Sequence, residues 1–498
     1  MSLIDTLAPL RAHGKGRTVG LDDATILAFA ARDPQLGDAI EAAAAEYQRV
    51  RAEFPELLDQ DEDGQRAAVQ EGFVNFYSAD NANPYVALTA RGPWIVTLKG
   101  AVIYDTGGYG MLGMGHAPAQ VIEAMARPQA MANIMTPSVS QLRFSNAMRR
   151  EIGQTRGGCP YAAFLCLNSG SESVSLAARI VDANAKTMTD QGARHAGKAI
   201  KRVVVKGSFH GRTDKPALYS DSTRKTYIQH LASYRGESSV IAIPPYDADA
   251  LRKVFADADA NGWYIEAMFL EPVMGEGDPG RSVPVAFYDL ARQLTRDHGS
   301  LLLVDSIQAG LRAHGVLSIV DYPGFEGLDA PDMETYSKAL NAGQYPLSVL
   351  AVTESAAAMY KRGLYGNTMT ANPRALDVAC AVLASITPEL RTNIRERGEQ
   401  AVQMLEALKA ETGGRITRVQ GTGLLYSCEL TKEFKGYGTG STEEWMREQG
   451  IGVIHGGENS LRFTPHFAVT AGELQLVVDV VKRALLEGPR QEQAAAVA

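Results

Sequence analysis

Three short segments of this chain carry residue types that together could do chemistry. In Leu167-Asn168-Ser169-Gly170-Ser171-Glu172 an apolar run ends in small polar residues, and a helical pattern begins near Ser171. A helix start presents unpaired N–H groups and the positive end of the helix dipole, which suits an anion. Gly170 lets the backbone approach such an anion closely, and the Ser171 hydroxyl can donate to it. The same pattern also serves as an ordinary cap between strand and helix. The second segment is Leu301-Leu-Leu-Val-Asp305, where a carboxylate closes an apolar strand pattern. Buried there, the carboxylate must be paired: either with a ring nitrogen that it keeps protonated, or with nearby helix and loop donors. The third is Ser337-Lys338-Ala339-Leu340. An amine among small and apolar residues loses hydration, which lowers its pKa and favours Schiff-base formation with a carbonyl. An isolated lysine would instead stretch its ammonium to solvent.

These residues must be positioned by the elements around them. Short apolar runs at 162–167, 202–207, 239–244, 267–273, 300–305 and 347–352 alternate with helical stretches. That alternation predicts an α/β fold with a mainly parallel sheet covered on both faces. Ahead of it lies a helical prelude up to about residue 85, in which Asp38 to Leu58 is rich in good helix formers. The acidic stretch Asp59-Gln-Asp-Glu-Asp-Gly64 opens like a calcium loop, but Gln70 stands where the closing Glu belongs, so it is read as a solvated acidic turn. Short strands follow from Trp94. Gly108-Tyr-Gly110-Met-Leu-Gly113 matches G-x-G-x-x-G, yet the helix signal starts only near Pro118, against a dinucleotide site. A long helix is expected from Glu389 to Glu411, stopped by Gly413-Gly414, and a last helix opens on the capping box Thr470-Ala-Gly-Glu473.

Composition narrows the function classes. The 498 residues allow more than one domain, and 45% hydrophobic with 21% charged residues is a globular, water-soluble balance. A net charge of −8 argues against nucleic acid as the main partner. Cys159, Cys166, Cys380 and Cys428 form no C-x-x-C pair and no metal spacing, so reduced thiols and no metal are expected. The opening MSLIDTLAPLRAHGKG has no apolar run suited to a signal or membrane span, and a cytoplasmic location is expected.

In order and spacing, seven segments between about Trp94 and Val480 resemble the class III, ornithine- and GABA-type aminotransferases of pyridoxal phosphate fold type I. LNSGSESVSLAARI is similar to the family's phosphate loop, and GSFHGRT to the segment whose aromatic residue stacks on the cofactor. FLEPVMGEGD resembles the E-P-x-x-G-E strand, and LLLVDSIQAGLRAHG the strand with the ring-nitrogen acid. TYSKALNAGQYPLSVLAV resembles the Schiff-base lysine segment, YGNTMTANPRALDVA the T-x-x-x-N-P turn, and SLRFTPHF the late arginine motif. The resemblance implies a large domain with a mainly parallel seven-stranded sheet, and a smaller α/β domain built from N- and C-terminal segments. On that basis the chain divides into an extension at 1–90, small-domain segments at 91–130 and 376–498, and the cofactor domain at 131–375.

Residue by residue, the resemblance implies that Lys338 holds pyridoxal 5'-phosphate and shuttles the substrate proton, while Asp305 pairs with the pyridine nitrogen. Gln308 would reach the phenolic oxygen, Ile307 and Phe209 would cover the two ring faces with His210 beside them, and Gly170 and Ser171 would hold the phosphate. Thr368 would reach the phosphate of a neighbouring subunit, implying a homodimer with shared sites. Arg462 would grip a substrate carboxylate and Glu276 would pair with it when the substrate has none, with Tyr109 in the pocket-lining stretch from Tyr104 to Gly115. That stretch, with Met111, Met114 and the single acid Asp105, suits an amino donor with an apolar or extended body, unless the methionines simply pack in the core.

The expected reaction moves an amino group between an amine or amino acid and a keto acid such as 2-oxoglutarate or pyruvate. The same frame also serves aminomutases, racemases and decarboxylating transaminases, and a cofactor-fold binding protein without catalysis is the reading from another class. The departures are Ser306 in place of the Glu usual after the ring-nitrogen acid, Met274 where Gln is common, Phe209 in place of the frequent Tyr, and a prelude before Trp94 that is longer than the family usually has.

Overall fold

The computed structural model describes residues 2–13, 16–130 and 134–491. Two compact units emerge: residues 1–119, 396–420 and 426–498 form one, and residues 120–395 with 421–425 the other. The chain therefore leaves the first unit, builds the second, and returns.

The first unit opens with the prelude. Asp33 caps the helix Pro34–Glu53, which buries Leu36, Ala39, Ile40, Ala43 and Tyr47 along one face. This helix packs on strands β1 (Ala87–Arg91) and β2 (Trp94–Thr97), and the Trp94 indole N–H donates to Asp33 at 2.7 Å. The helix-forming stretch 38–58 is helical but falls in two helices. Pro55 cannot continue the hydrogen-bond ladder, so a separate turn runs from Pro55 to Leu58. The acidic stretch is also more than a solvated turn. Asp61 caps the helix Glu62–Gln70, accepting from the Gly64 amide at 2.8 Å, and Glu62 is buried and accepts from the Thr18 amide at 2.8 Å. Strand β3 (Val102–Asp105) follows. The glycine-rich segment after it forms turns, and a helix starts only at Ala119.

In the second unit seven strands form one sheet: β4 (Ala163–Leu167), β5 (Ala199–Val205), β6 (Val240–Ile243), β7 (Trp263–Leu270), β8 (Leu301–Asp305), β9 (Met333–Tyr336) and β10 (Ser348–Val352). Their order is β4-β10-β9-β8-β7-β5-β6. From β9 to β6 all neighbours are parallel, and β10 runs antiparallel to both β9 and β4. The predicted mainly parallel sheet is thus present, with β9 as a strand the apolar runs did not reveal. Glu334 and Thr335 interrupt its pattern, and both are fully buried. The helix Gly170–Thr189 lies on the sheet and buries Val174, Ala177, Ile180 and Val181 against Phe269, Leu303 and Leu350.

The return to the first unit uses the helix Pro388–Glu411, and Gly413 and Gly414 both take positive φ just past its end. Strands β11 (Ile416–Thr422) and β12 (Leu425–Leu430) follow. After them come β13 (Ile451–Gly452), which pairs with β3, β14 (Ile454–Gly456) and β15 (Ser460–Phe463). Thr470 and Glu473 close the expected capping box on the last helix, Ala471–Glu487. The four cysteines are free thiols. Among the described residues no helix is long and apolar enough to cross a membrane.

Two histidines in the second unit make this fold acid-sensitive. Burial pushes the His314 imidazole down to about 4, with the Arg395 charge adding to it, and burial does the same to His298. The unfolded chain takes up these protons near pH 6.5 and the folded chain only near 4, so stability is complete above about pH 6.5 and falls toward pH 4. Each buried ring can contribute on the order of 2 kcal/mol, less for the more solvated His298. Denaturant unfolding at pH 7 and pH 5 should show this loss, reduced in His314→Phe; an identical loss in both proteins would exclude His314 as a source.

Candidate active site

Strand ends and the turns that follow them bring most of the predicted cofactor residues together in the second unit. Gly170 and Ser171 form the first turn of the helix Gly170–Thr189, capped by Ser169 with Glu172 closing the box. Their amides precede the first intrahelical bond and are the natural donors for a phosphate. A side chain on Gly170 would run into Ile307, whose Cδ1 lies 2.6 Å from the position of the missing Cβ. That contact places Ile307 beside the phosphate turn. The Ser171 hydroxyl accepts from the Arg212 amide at 3.3 Å, tying the turn to the Phe209–Arg212 segment.

Asp305 ends β8 and is buried, as is His210. Their contact is 2.9 Å between Nδ1 and Oδ2. An ionised carboxylate only accepts, so Nδ1 carries the proton. The Ile307 amide donates to the other oxygen at 3.1 Å. His210 Nε2 is buried with no hydrogen-bond partner among the described residues. Phe209 is half-buried, with the Arg212 guanidinium 5.3 Å from its ring centre. Gln308 is buried against Gly275, where any side chain would collide with the Gln308 amide.

Lys338 starts a short 3-10 turn two residues after β9, and Asp305 pairs with Thr335 across β8 and β9. Its φ of +37° is in the left-handed region, which costs a non-glycine residue about 1–2 kcal/mol. Thr335 in turn meets the Ser173 hydroxyl at 2.5 Å, on the helix that carries the phosphate turn.

Two buried acids escaped the sequence reading. Glu271 follows β7 and accepts from the amides of Phe209 at 3.0 Å and Gly275 at 2.8 Å, joining two loops of the site. Burial pushes its carboxyl up to about 7; His210 opposes the shift and Asp305 adds to it. Its place in the E-P motif was the available signal. Glu334, in β9, accepts from Tyr161 Oη at 2.7 Å, Ser306 Oγ at 2.6 Å, Ser318 Oγ at 2.5 Å and the Ile319 amide at 2.9 Å. Ser306, the departure beside Asp305, therefore reaches an acid on the adjacent strand.

Glu276 and Thr368 sit at the margins. Glu276 is half-buried and accepts from the Ser222 hydroxyl at 3.3 Å. Thr368 is exposed in a groove of about 830 Å³ lined by Phe144, Phe164, Tyr360, Tyr365 and Leu376. The remaining two predicted residues belong to the first unit and lie together there. Arg462, on β15, is buried with its guanidinium carbon 5.3 Å from the ring centre of Tyr109. Asp105 is engaged by His116 at 3.0 Å and by the Gly107 amide at 2.7 Å. Met111 is exposed and Met114 half-buried, so neither packs in the core.

A helix start whose first amides precede the intrahelical bonds, a buried acid held by two donors and a lysine on a strained turn after the neighbouring strand match the donor set expected for a pyridoxal phosphate enzyme of fold type I. The comparisons agree. The model of the aminotransferase class-III family matches residues 76–485. An ornithine aminotransferase from Exiguobacterium sp. is 27% identical over 406 residues, covering 81% of this chain and 93% of the relative. An acetylornithine aminotransferase from Neisseria meningitidis serogroup B is 27% identical over 415 residues, covering 81% and 95%. Among solved structures, an ornithine aminotransferase from Toxoplasma gondii superposes with a TM-score of 0.73 at 23% identity, covering 88% of this chain and 97% of that one. The chain belongs to the class III aminotransferases. It is a pyridoxal-phosphate-dependent enzyme that transfers amino groups to keto acids.

The Glu334 network should be essential to this arrangement. Glu334→Leu removes the acceptor and leaves three hydroxyls and an amide buried without one, a loss of about 3–5 kcal/mol. Denaturant unfolding checks this, with Glu334→Gln expected between the two. A leucine variant within about 1 kcal/mol of the parent would show that the network holds nothing in place.

Proposed function

We propose that this enzyme is a homodimer in which Lys338 bonds the cofactor and moves the substrate proton, and in which 2-oxoglutarate or pyruvate accepts the amino group. The observation that carries the reading is Lys338 on a left-handed turn that follows β9, the strand paired with the one that ends in Asp305, whose carboxylate His210 and the Ile307 amide hold. When bound, pyridoxal phosphate supplies an electron sink that acidifies the carbon next to the substrate nitrogen. The chain's own residues do the rest. The first-turn amides of Gly170 and Ser171 take the phosphate, and Ile307 and Phe209 hold the ring between them. Asp305 would pair with the ring nitrogen, and Gln308 would donate to the phenolic oxygen. The Lys338 amine would be the group that takes the proton from the substrate carbon and gives it back. Arg462 takes the substrate carboxylate in two-point fashion, and Glu276 carries the balancing charge for a donor without one. The exposed Met111 and half-buried Met114 favour a donor with an apolar or extended body.

The groove around Thr368 supports the dimer. Leu142, Leu364 and Met369 are exposed on and near this surface, and a second copy would cover them. Thr368 would then complete the partner's phosphate site.

Borohydride treatment of the loaded enzyme should fix the cofactor to the peptide containing Lys338, and Lys338→Ala should lower kcat by about 10²–10⁴-fold or more. Label on another lysine would defeat the assignment. Sedimentation velocity should give a dimer or larger even assembly, with Thr368→Ala releasing cofactor more readily; a monomer that keeps its full cofactor content would rule out shared sites.

A further inference from the structure

The prelude delivers an aromatic side chain to the Arg462 site. Tyr77 lies between the helix Glu62–Gln70 and β1, just inside the residues that the family model matches. Its ring stacks on Tyr109 with centroids 6.1 Å apart and planes within 18°. Tyr109 carries the Arg462 guanidinium over its ring at 5.3 Å, so the three side chains form one continuous stack.

Two members of this stack are fixed firmly. Arg462 is 2% exposed and sits on β15 between β12 and β14. The loop bearing Tyr109 is tied to the exit of that strand: the Gly110 amide donates to Thr464 Oγ1 at 3.2 Å, and the Phe467 amide donates to the Gly113 carbonyl at 2.7 Å. Tyr109 itself has φ +51°, a conformation unfavourable for an aromatic residue, so contacts around the ring must hold it. Tyr77 is held differently. Phe73, Val74 and Phe76 just before it are 79%, 100% and 73% exposed, while Tyr77 alone in that run is half-buried. The run thus turns one ring inward, onto Tyr109.

We propose that Tyr77 is a positioning residue for the substrate carboxylate. It backs Tyr109, and Tyr109 fixes the plane of the Arg462 guanidinium. A guanidinium presents its N–H groups in its own plane, so fixing that plane fixes the direction from which a carboxylate is gripped at two points. The rings also place an apolar wall beside that grip, which suits a keto acid or amino acid whose carbon chain runs along them. This inference rests on the reading of Arg462 as the carboxylate site.

The test uses the full-length, cofactor-loaded enzyme and the variants Tyr77→Ala, Tyr77→Phe and Arg462→Ala. Tyr77→Ala should raise the KM for 2-oxoglutarate by about three- to tenfold, the size of one lost aromatic contact, with kcat little changed. Tyr77→Phe should behave as the parent, because the ring and not the hydroxyl does the work. Calorimetric binding of glutarate, a dicarboxylate that cannot react, should weaken by the same factor in Tyr77→Ala. The first half-reaction with an amine lacking a carboxylate should be unaffected. If Arg462→Ala raises the KM and Tyr77→Ala leaves both KM and glutarate binding unchanged, the inference is wrong and the Arg462 reading stands. If Arg462→Ala also leaves both unchanged, the Arg462 reading fails and takes this inference with it.

Discussion

Asp305 is a carboxylate in a place that disfavours charge. It ends a strand whose other four residues are all buried, and it is itself only 4% exposed. A carboxylate without donors in such surroundings favours its protonated form. The fold answers with directed donors. His210 supplies one proton, the Ile307 amide another, and each carboxylate oxygen retains capacity for one more bond. The His210 donor follows β5 and the Ile307 donor follows β8 itself, so the order β8-β7-β5 brings them to the same point. The burial that makes Asp305 costly also makes its charge effective, because the low dielectric screens its interaction with a cationic partner less.

Solving that problem creates two others. Glu271 and Glu334 are buried in the layers on either side of Asp305, after β7 and within β9. Three like charges there would repel one another, and the outcome differs residue by residue. Glu271 accepts two amides, which joins its loops, and burial pushes its carboxyl up to about 7. Glu334 has four donors, and burial still raises its pKa above that of an ordinary carboxyl. Ser306 makes sense in this setting. A glutamate there would stand immediately after Asp305 in the chain, whereas an acid reaching Ser306 from β9 ties the ring-nitrogen strand to the strand that leads into Lys338.

What could be read from the sequence follows from how local each signal is. The strands were visible because a parallel strand buried on both faces is a run of apolar residues, and the phosphate turn because a helix start has its own residue signature. β9 was not visible, since Glu334 and Thr335 look polar until their partners on other segments are known. The helix break at Pro55 is a local signal, since a proline cannot extend the ladder of the preceding helix. Glu62 looked like part of a solvated acidic turn because its donor, the Thr18 amide, comes from 44 residues earlier. Asp305, Lys338 and Gly170 could be singled out by type and position. His210 as the donor to Asp305 could not, because the two are 95 residues apart and meet only through the order of β5, β7 and β8.

The same distinction separates the two kinds of binding residue. Those assigned to the cofactor sit at strand ends and on the turns beside them, where packing leaves little freedom, and even the strain at Lys338 is held by β9 on one side and the Asn341–Gly343 turn on the other. Those assigned to the substrate are held by rings and loops. Arg462 is anchored by its strand, but Tyr109 depends on its loop and Tyr77 on a stretch whose neighbours are exposed. A chemistry shared by many enzymes needs the rigid part unchanged. A change of substrate is better carried by the stacked part, where loops and exposed neighbours leave more freedom.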